Sequence, residues 1–199
     1  MNITGYGEDF LTLWALTRKT KEVLTQLEDY TNPEQCKLIY RPSFGRAGGS
    51  MKDQRAEFGE FDSILLADKN AYLIESKWDG NGQRKHRVNL DKTQVKRHKV
   101  FTWYLDNWVD GTDWDQFRAD KSKEFTQRFP ENKIAPTSSI LKKNLVEVMS
   151  QVGKKTLHNV LMYFYCNEPQ ELRLDYPDVI FKKAVLRYPN DKNFLGFLI

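Results

Sequence analysis

The chain has 199 residues, 40% of them hydrophobic and 29% charged, which fits one domain with a real core and the composition of an ordinary soluble globular protein. No apolar run reaches membrane-spanning length, and residues 1–5 lack the basic-then-apolar order of a signal peptide, so none is expected. Cys36 and Cys166 are two and far apart. They give neither a disulfide framework nor zinc spacing, and they suit a reducing, cytoplasmic setting.

Residues 6–30 read as a helix, with Phe10, Leu13, Trp14, Leu24 and Leu27 at helical spacing and Arg18, Lys19, Lys21 and Glu22 opposite. Glu8 falls in its first turn, where an acid meets the positive end of the helix dipole. Asn32-Pro33 ends the helix, and residues 37–41 form a first strand. Residues 42–55 are glycine-rich and read as a long loop or flexible hairpin, its charges Arg46, Lys52 and Arg55, with Arg41 just before it, against Asp53. Such a loop could close over nucleic acid or lie as a plain surface loop.

Residues 57–78 are the centre of the chain. Two apolar, β-prone runs flank a polar turn at Asp68-Lys69-Asn70, a hairpin signal. Asp62 opens the first run; Glu75 and Lys77 close the second. Period-two alternation puts Glu75 and Lys77 on the face of Leu73 and Ala71. A two-residue turn at Lys69-Asn70 would set Asp62 opposite Lys77 and diagonal to Glu75. Charges in such a place must be paired or bind a metal, and two carboxylates with a lysine suit a hard divalent cation that helps water attack a phosphodiester. A structural ion-pair cluster at a sheet end is the plainer alternative.

Asp62 followed by Glu75-Ser76-Lys77 across a short hairpin resembles the motif of the PD-(D/E)XK nuclease superfamily, with Phe61 where the family name has proline. The resemblance covers only this hairpin. It implies a restriction-endonuclease-like α/β core: a mixed sheet of about five strands between helices, within one domain over 1–199. It also implies Mg²⁺, with Mn²⁺ as a substitute, held by Asp62, Glu75 and the Ser76 carbonyl, with Lys77 orienting the attacking water. Members of the superfamily often bring a glutamate from their first helix to the metal, so Glu8 has this second reading. DNA is the implied partner, and a restriction or anti-phage endonuclease the implied activity. A catalytically inactive DNA-binding or structural protein of the same fold is one alternative; a Holliday junction resolvase, which would work as a homodimer, is another. No P-loop or CxxC cluster is present, which argues against ATP-driven and iron–sulfur nucleases.

Residues 79–89 are a loop, and 90–108 a helix with Leu90, Phe101, Tyr104, Leu105 and Trp108 on one stripe. Gln94 shares that stripe; by resemblance it supplies a polar group near the site, and otherwise it caps the core edge. Residues 81–99 carry seven basic residues against one acid, more than the net +4 of the whole chain. Arg84, Lys85, Arg87, Lys96 and Arg97 are therefore candidate phosphate contacts, since a focused basic patch attracts polyanions. Residues 109–136 form a polar insertion with a short helix around 115–129. Ser138 or Ser139 caps a helix to Gln151 that Gly153 stops. Residues 157–166 are an apolar, central strand, with another strand over 178–188 and a terminal apolar segment over 194–199.

Overall fold

The computed structural model describes residues 2–45, 56–79, 87–189 and 195–198. In chain order they form β1 (Asn2–Gly5), α1 (Gly7–Arg18), α2 (Thr20–Gln26), a 3-10 turn (Pro33–Gln35), β2 (Lys37–Tyr40), β3 (Ser43–Phe44), β4 (Gly59–Glu60), β5 (Ser63–Leu66), β6 (Asn70–Trp78), β7 (Arg87–Val88), α3 (Lys92–Asn107), α4 (Trp114–Arg128), α5 (Ile140–Val152), β8 (Thr156–Tyr165), β9 (Glu171–Leu172), β10 (Phe181–Arg187) and β11 (Leu195–Leu198). Among the described residues no helix is long and apolar enough to cross a membrane.

The fold is α/β, as expected, and rests on a five-stranded mixed sheet in the order β10-β8-β6-β5-β2. Strands β2, β5 and β6 run antiparallel, while β6, β8 and β10 run parallel. Two compact units divide the chain: Met1–Arg41, Asp62–Leu90 and Lys155–Ile199 form one, Pro42–Phe61 and Asp91–Lys154 the other. The polar stretch expected as an insertion in one domain is α4 and its flanking turns, inside the second unit.

In the first unit, α1 and α2 pack on one face of the sheet. Their Leu11, Trp14, Val23, Leu24 and Leu27 bury against Tyr72, Ile74, Val160, Met162, Phe164 and Leu186. The helix expected over 6–30 is thus two helices, the first entered from β1 through its N-cap Tyr6. The break at Lys19 adjoins Thr17 and Thr20, whose hydroxyls donate to the carbonyls of Leu13 and Leu16 at 2.7 Å each, a back-bonding that bends helices. β8 is central, flanked by β6 and β10, which explains its run of Val160, Leu161, Met162, Tyr163 and Phe164, all fully buried. The last strand does not join this sheet: β11 pairs antiparallel with β1.

The second unit is built on aromatic packing. The two-residue β3–β4 ladder carries Phe44 into contact with Phe58, Phe61 and Phe101. Trp103 and Tyr104 of α3 meet Phe117 and Phe125 of α4. Asp91 caps α3, Asp113 caps α4 and Ser139 caps α5, each accepting from main-chain N–H groups of the first turn. Gly153 ends α5 at φ 56°, in the left-handed region that glycine tolerates.

Candidate active site

The hairpin turn decides what meets at the far end of β6. The Ala67 N–H donates to the Asn70 carbonyl at 2.9 Å, so the turn is Asp68-Lys69, one residue earlier than Lys69-Asn70. The ladder then pairs Ser63 with Ile74, and continuing it by one residue sets Asp62 across from Glu75, not Lys77. Tertiary contacts hold that turn. The Lys155 ammonium donates to the carbonyls of Ala67 (2.7 Å) and Asp68 (2.6 Å), and the Thr156 N–H to that of Lys69 (2.8 Å).

Among the described residues the β5–β6 ladder stops at the Ser63–Ile74 pair, leaving a gap beside the Ser76 N–H, while β8 accompanies β6 to Trp78. Asp62 fills the gap: its Oδ2 accepts from the Ser76 N–H at 2.6 Å. On the opposite face, the hydroxyls of Ser76 and Thr12 share a buried hydrogen bond of 2.6 Å, and Thr12 also donates to the Glu8 carbonyl at 2.8 Å. That contact seats the first turn of α1 beside the end of β6. The Glu8 carboxylate there accepts a main-chain hydrogen bond from Trp78 and lies 4.0 Å from the Lys77 ammonium. The site therefore stands at the carboxyl end of a parallel strand, where open α/β sheets place their ligands.

Its electrostatics are unbalanced. Glu75 and Ser76 are completely buried. Burial pushes the Asp62 carboxyl up to about 7, the facing Glu75 adds to the rise and Glu8 contributes, while the Ser76 N–H and Lys77 oppose it. Burial also raises Glu8; Asp9 and Glu75 add to that, against Lys77 and the Trp78 N–H. Like charges directly opposite on a sheet are destabilising. The Lys77–Glu8 pair, with side chains 27% and 34% exposed, is screened and worth about 0–1 kcal/mol.

The donor chemistry fits a hard divalent cation. Asp62, Glu75, Glu8 and the Ser76 carbonyl would offer it oxygen donors, and a cation would reverse the repulsion that raises Asp62. Among the described residues no three His, Cys, Asp or Glu side chains already form a metal-holding group. Asp62 Oδ2 is instead turned to the Ser76 amide.

The remaining candidates distribute unevenly. Gln94 belongs to the second unit and is committed to the capping box of α3: its Oε1 accepts from the Asp91 N–H at 3.2 Å, while Asp91 Oδ1 accepts from the Gln94 N–H at 2.9 Å. Lys96 pairs with Glu131 at 2.6 Å. Arg97 lies over the Phe61 ring, 5.7 Å from its centroid, and against Gly59, whose φ of 107° favours glycine. Arg87 lies in β7; Arg46, Lys52, Arg55, Arg84 and Lys85 fall outside the described residues.

Arg41 was missed as a site residue, although it closes the first strand and carries charge. It has φ of 50°, a conformation costing a non-glycine residue about 1–3 kcal/mol. Its N–H donates to the Asp62 carbonyl at 3.2 Å, and its guanidinium pairs with Asp9, next to Glu8. Tyr40 Oη donates to the Asp9 carbonyl at 2.8 Å. Thr12 was missed too; its one signal is its place one helical turn after Glu8.

No protein-family model matches this chain, and comparison with curated proteins and with solved structures likewise finds no match.

Proposed function

We propose that the chain is a divalent-metal-dependent nuclease that hydrolyses phosphodiester bonds, a DNA endonuclease of restriction or anti-phage type similar to the PD-(D/E)XK superfamily. The observation that carries this reading is the facing pair Asp62 and Glu75 at the end of the β5–β6 hairpin, with Lys77 two residues on. Asp62 and Glu75 would hold Mg²⁺ or Mn²⁺, joined by the Ser76 carbonyl and by Glu8. The cation supplies Lewis acidity toward the phosphodiester and neutralises charge. Lys77 orients the attacking water by hydrogen bonding and offsets negative charge developing on the phosphate oxygens. Thr12 and the Trp78 N–H keep the first turn of α1, and with it Glu8, at the strand end. A cytoplasmic setting accords with the free thiols of Cys36 and Cys166.

The test is incubation of the protein with plasmid, linear single-stranded DNA and a four-way junction, each with Mg²⁺ or with EDTA. Nicking or linearisation of plasmid in Mg²⁺ alone supports the reading. Cutting confined to the junction makes the protein a resolvase. Binding without cutting of any substrate makes it an inactive DNA-binding relative and rejects the nuclease.

A further inference from the structure

Arg41 is held in an unfavourable backbone conformation, φ 50°, immediately before Pro42, which itself restricts the preceding residue toward extended backbone. Two hydrogen bonds surround this bend: the Arg41 N–H to the Asp62 carbonyl at 3.2 Å, and Tyr40 Oη to the Asp9 carbonyl at 2.8 Å. They tie this stretch to the segment that carries Asp62 and to the first turn of α1, which the guanidinium also meets. Its partner there is the Asp9 carboxylate, with side chains 34% and 50% exposed. An ion pair this open to water contributes less than the backbone conformation costs, so the pair is not what holds the bend. What the bend does is present a planar five-donor fork, 34% exposed, to the first turn of α1.

We propose that Arg41 is a phosphate-binding residue of the candidate site, and that Asp9 occupies its guanidinium as a stand-in anion until a nucleic-acid phosphate displaces it. The inference rests on the nuclease reading and names the residue that would seat the strand across Asp62 and Glu75. A guanidinium suits this task because it matches two oxygens of one phosphate at once. Asp9 matches it in charge and geometry but is easily exchanged, being half exposed.

The experiment is fluorescence anisotropy of a short labelled DNA duplex, and of the same single strand, titrated with the full chain in Ca²⁺ over a series of salt concentrations. Arg41→Ala should weaken duplex binding about tenfold, as for one lost charge-assisted contact, and flatten the slope of log K against log salt by about 0.9. Arg41→Lys should keep the slope and lose part of the affinity, since a point charge replaces the fork. Arg41→Gly should raise the melting temperature by relieving the φ strain and still lose the affinity, which separates binding from folding. Asp9→Asn should tighten binding severalfold in the native background, and not in Arg41→Ala. If the native protein binds duplex and Arg41→Ala leaves its slope unchanged, the assignment is overturned. It is equally overturned if Asp9→Asn weakens binding as much as Arg41→Ala does, the mark of a clamp that only positions α1. If the native protein binds neither duplex nor single strand, the nuclease reading fails and this inference fails with it.

Discussion

At the Asn70 end of β6, buried Asp29 accepts from the Thr31 N–H (2.9 Å), the Thr31 hydroxyl (2.6 Å), the Asn70 amide (2.8 Å) and the Tyr72 hydroxyl (2.6 Å). At the Trp78 end, Asp62 accepts from the Ser76 amide and faces a second carboxylate, Glu75. Burial opposes ionisation at both. Around Asp29 the hydrogen bonds from Thr31, Tyr72 and Asn70 outweigh burial and hold the acid far below the usual carboxylate range. Around Asp62 burial and Glu75 prevail and push it up to about 7. The same residue type is held ionised by hydrogen bonds at one end of the strand and pushed toward its protonated form by burial and a facing carboxylate at the other.

This contrast can be broken from either side. The largest effect is expected on cleavage: Asp62→Ala and Glu75→Ala should lower plasmid cutting in Mg²⁺ to background, and Lys77→Ala should lower it by about 10²–10³-fold. All three should stay folded, with native circular dichroism. Near-native cutting by any one of them removes that residue from the site.

The next effect is on stability. Asp29→Ala leaves buried donors on Tyr72 and Asn70 without their acceptor and should cost roughly 2–4 kcal/mol in urea unfolding. Asp62→Asn relieves repulsion from Glu75 and should raise the stability of the metal-free protein at pH 8 by something on the order of 1 kcal/mol. Equal losses in the two variants would erase the distinction between the two ends.

A smaller effect separates them by pH. The Asp62 carboxyl takes up its proton at about 7 in the folded protein and at about 4 when unfolded, so the folded state binds more protons between those values. Its contribution therefore makes the metal-free protein less stable as pH rises from about 4 to about 7. Asp62→Asn and added Mg²⁺ should each flatten that fall. Asp29 has the opposite sign: its contribution is present above the unfolded value and is lost only as pH falls through its low folded value. Unfolding free energy measured against pH in EDTA, for native protein and Asp62→Asn, checks both signs.

The smallest concerns Glu8. If it only meets the helix dipole, Glu8→Gln should cost about 0.3–1 kcal/mol of stability and leave cleavage in Mg²⁺ intact. A loss of cleavage with unchanged melting temperature places it in the site.

The α/β sheet and its central strands were legible because apolar runs such as 157–166 tolerate little besides a buried strand. Asp62, Glu75 and Lys77 were legible because charge at the ends of such runs is costly without a purpose. The hairpin register was not. Asp68-Lys69 and Lys69-Asn70 are both plausible two-residue turns, and the choice is made by Lys155 and Thr156, nearly ninety positions away in the chain. Moving the turn by one residue moves the pairing by two, and because side chains alternate with period two, Asp62 stayed on the right face while its partner changed from Lys77 to Glu75. The role of Gln94 was ambiguous for a related reason: an inward polar residue in a first helical turn serves a capping box, as Gln94 does, as readily as a site. Arg41 was hidden because its position depends on a positive φ that no sequence pattern announces for arginine.

The central claim is that Asp62 and Glu75 are left facing each other for a cation, and calorimetric titration with Mg²⁺ and Mn²⁺ tests it most directly. The native protein should bind either ion, and Asp62→Asn should bind at least about tenfold more weakly while remaining folded, because hard cations favour charged oxygen ligands. No binding by the native protein, or equal binding by Asp62→Asn, would contradict it and leave the carboxylate pair a structural feature of the sheet end.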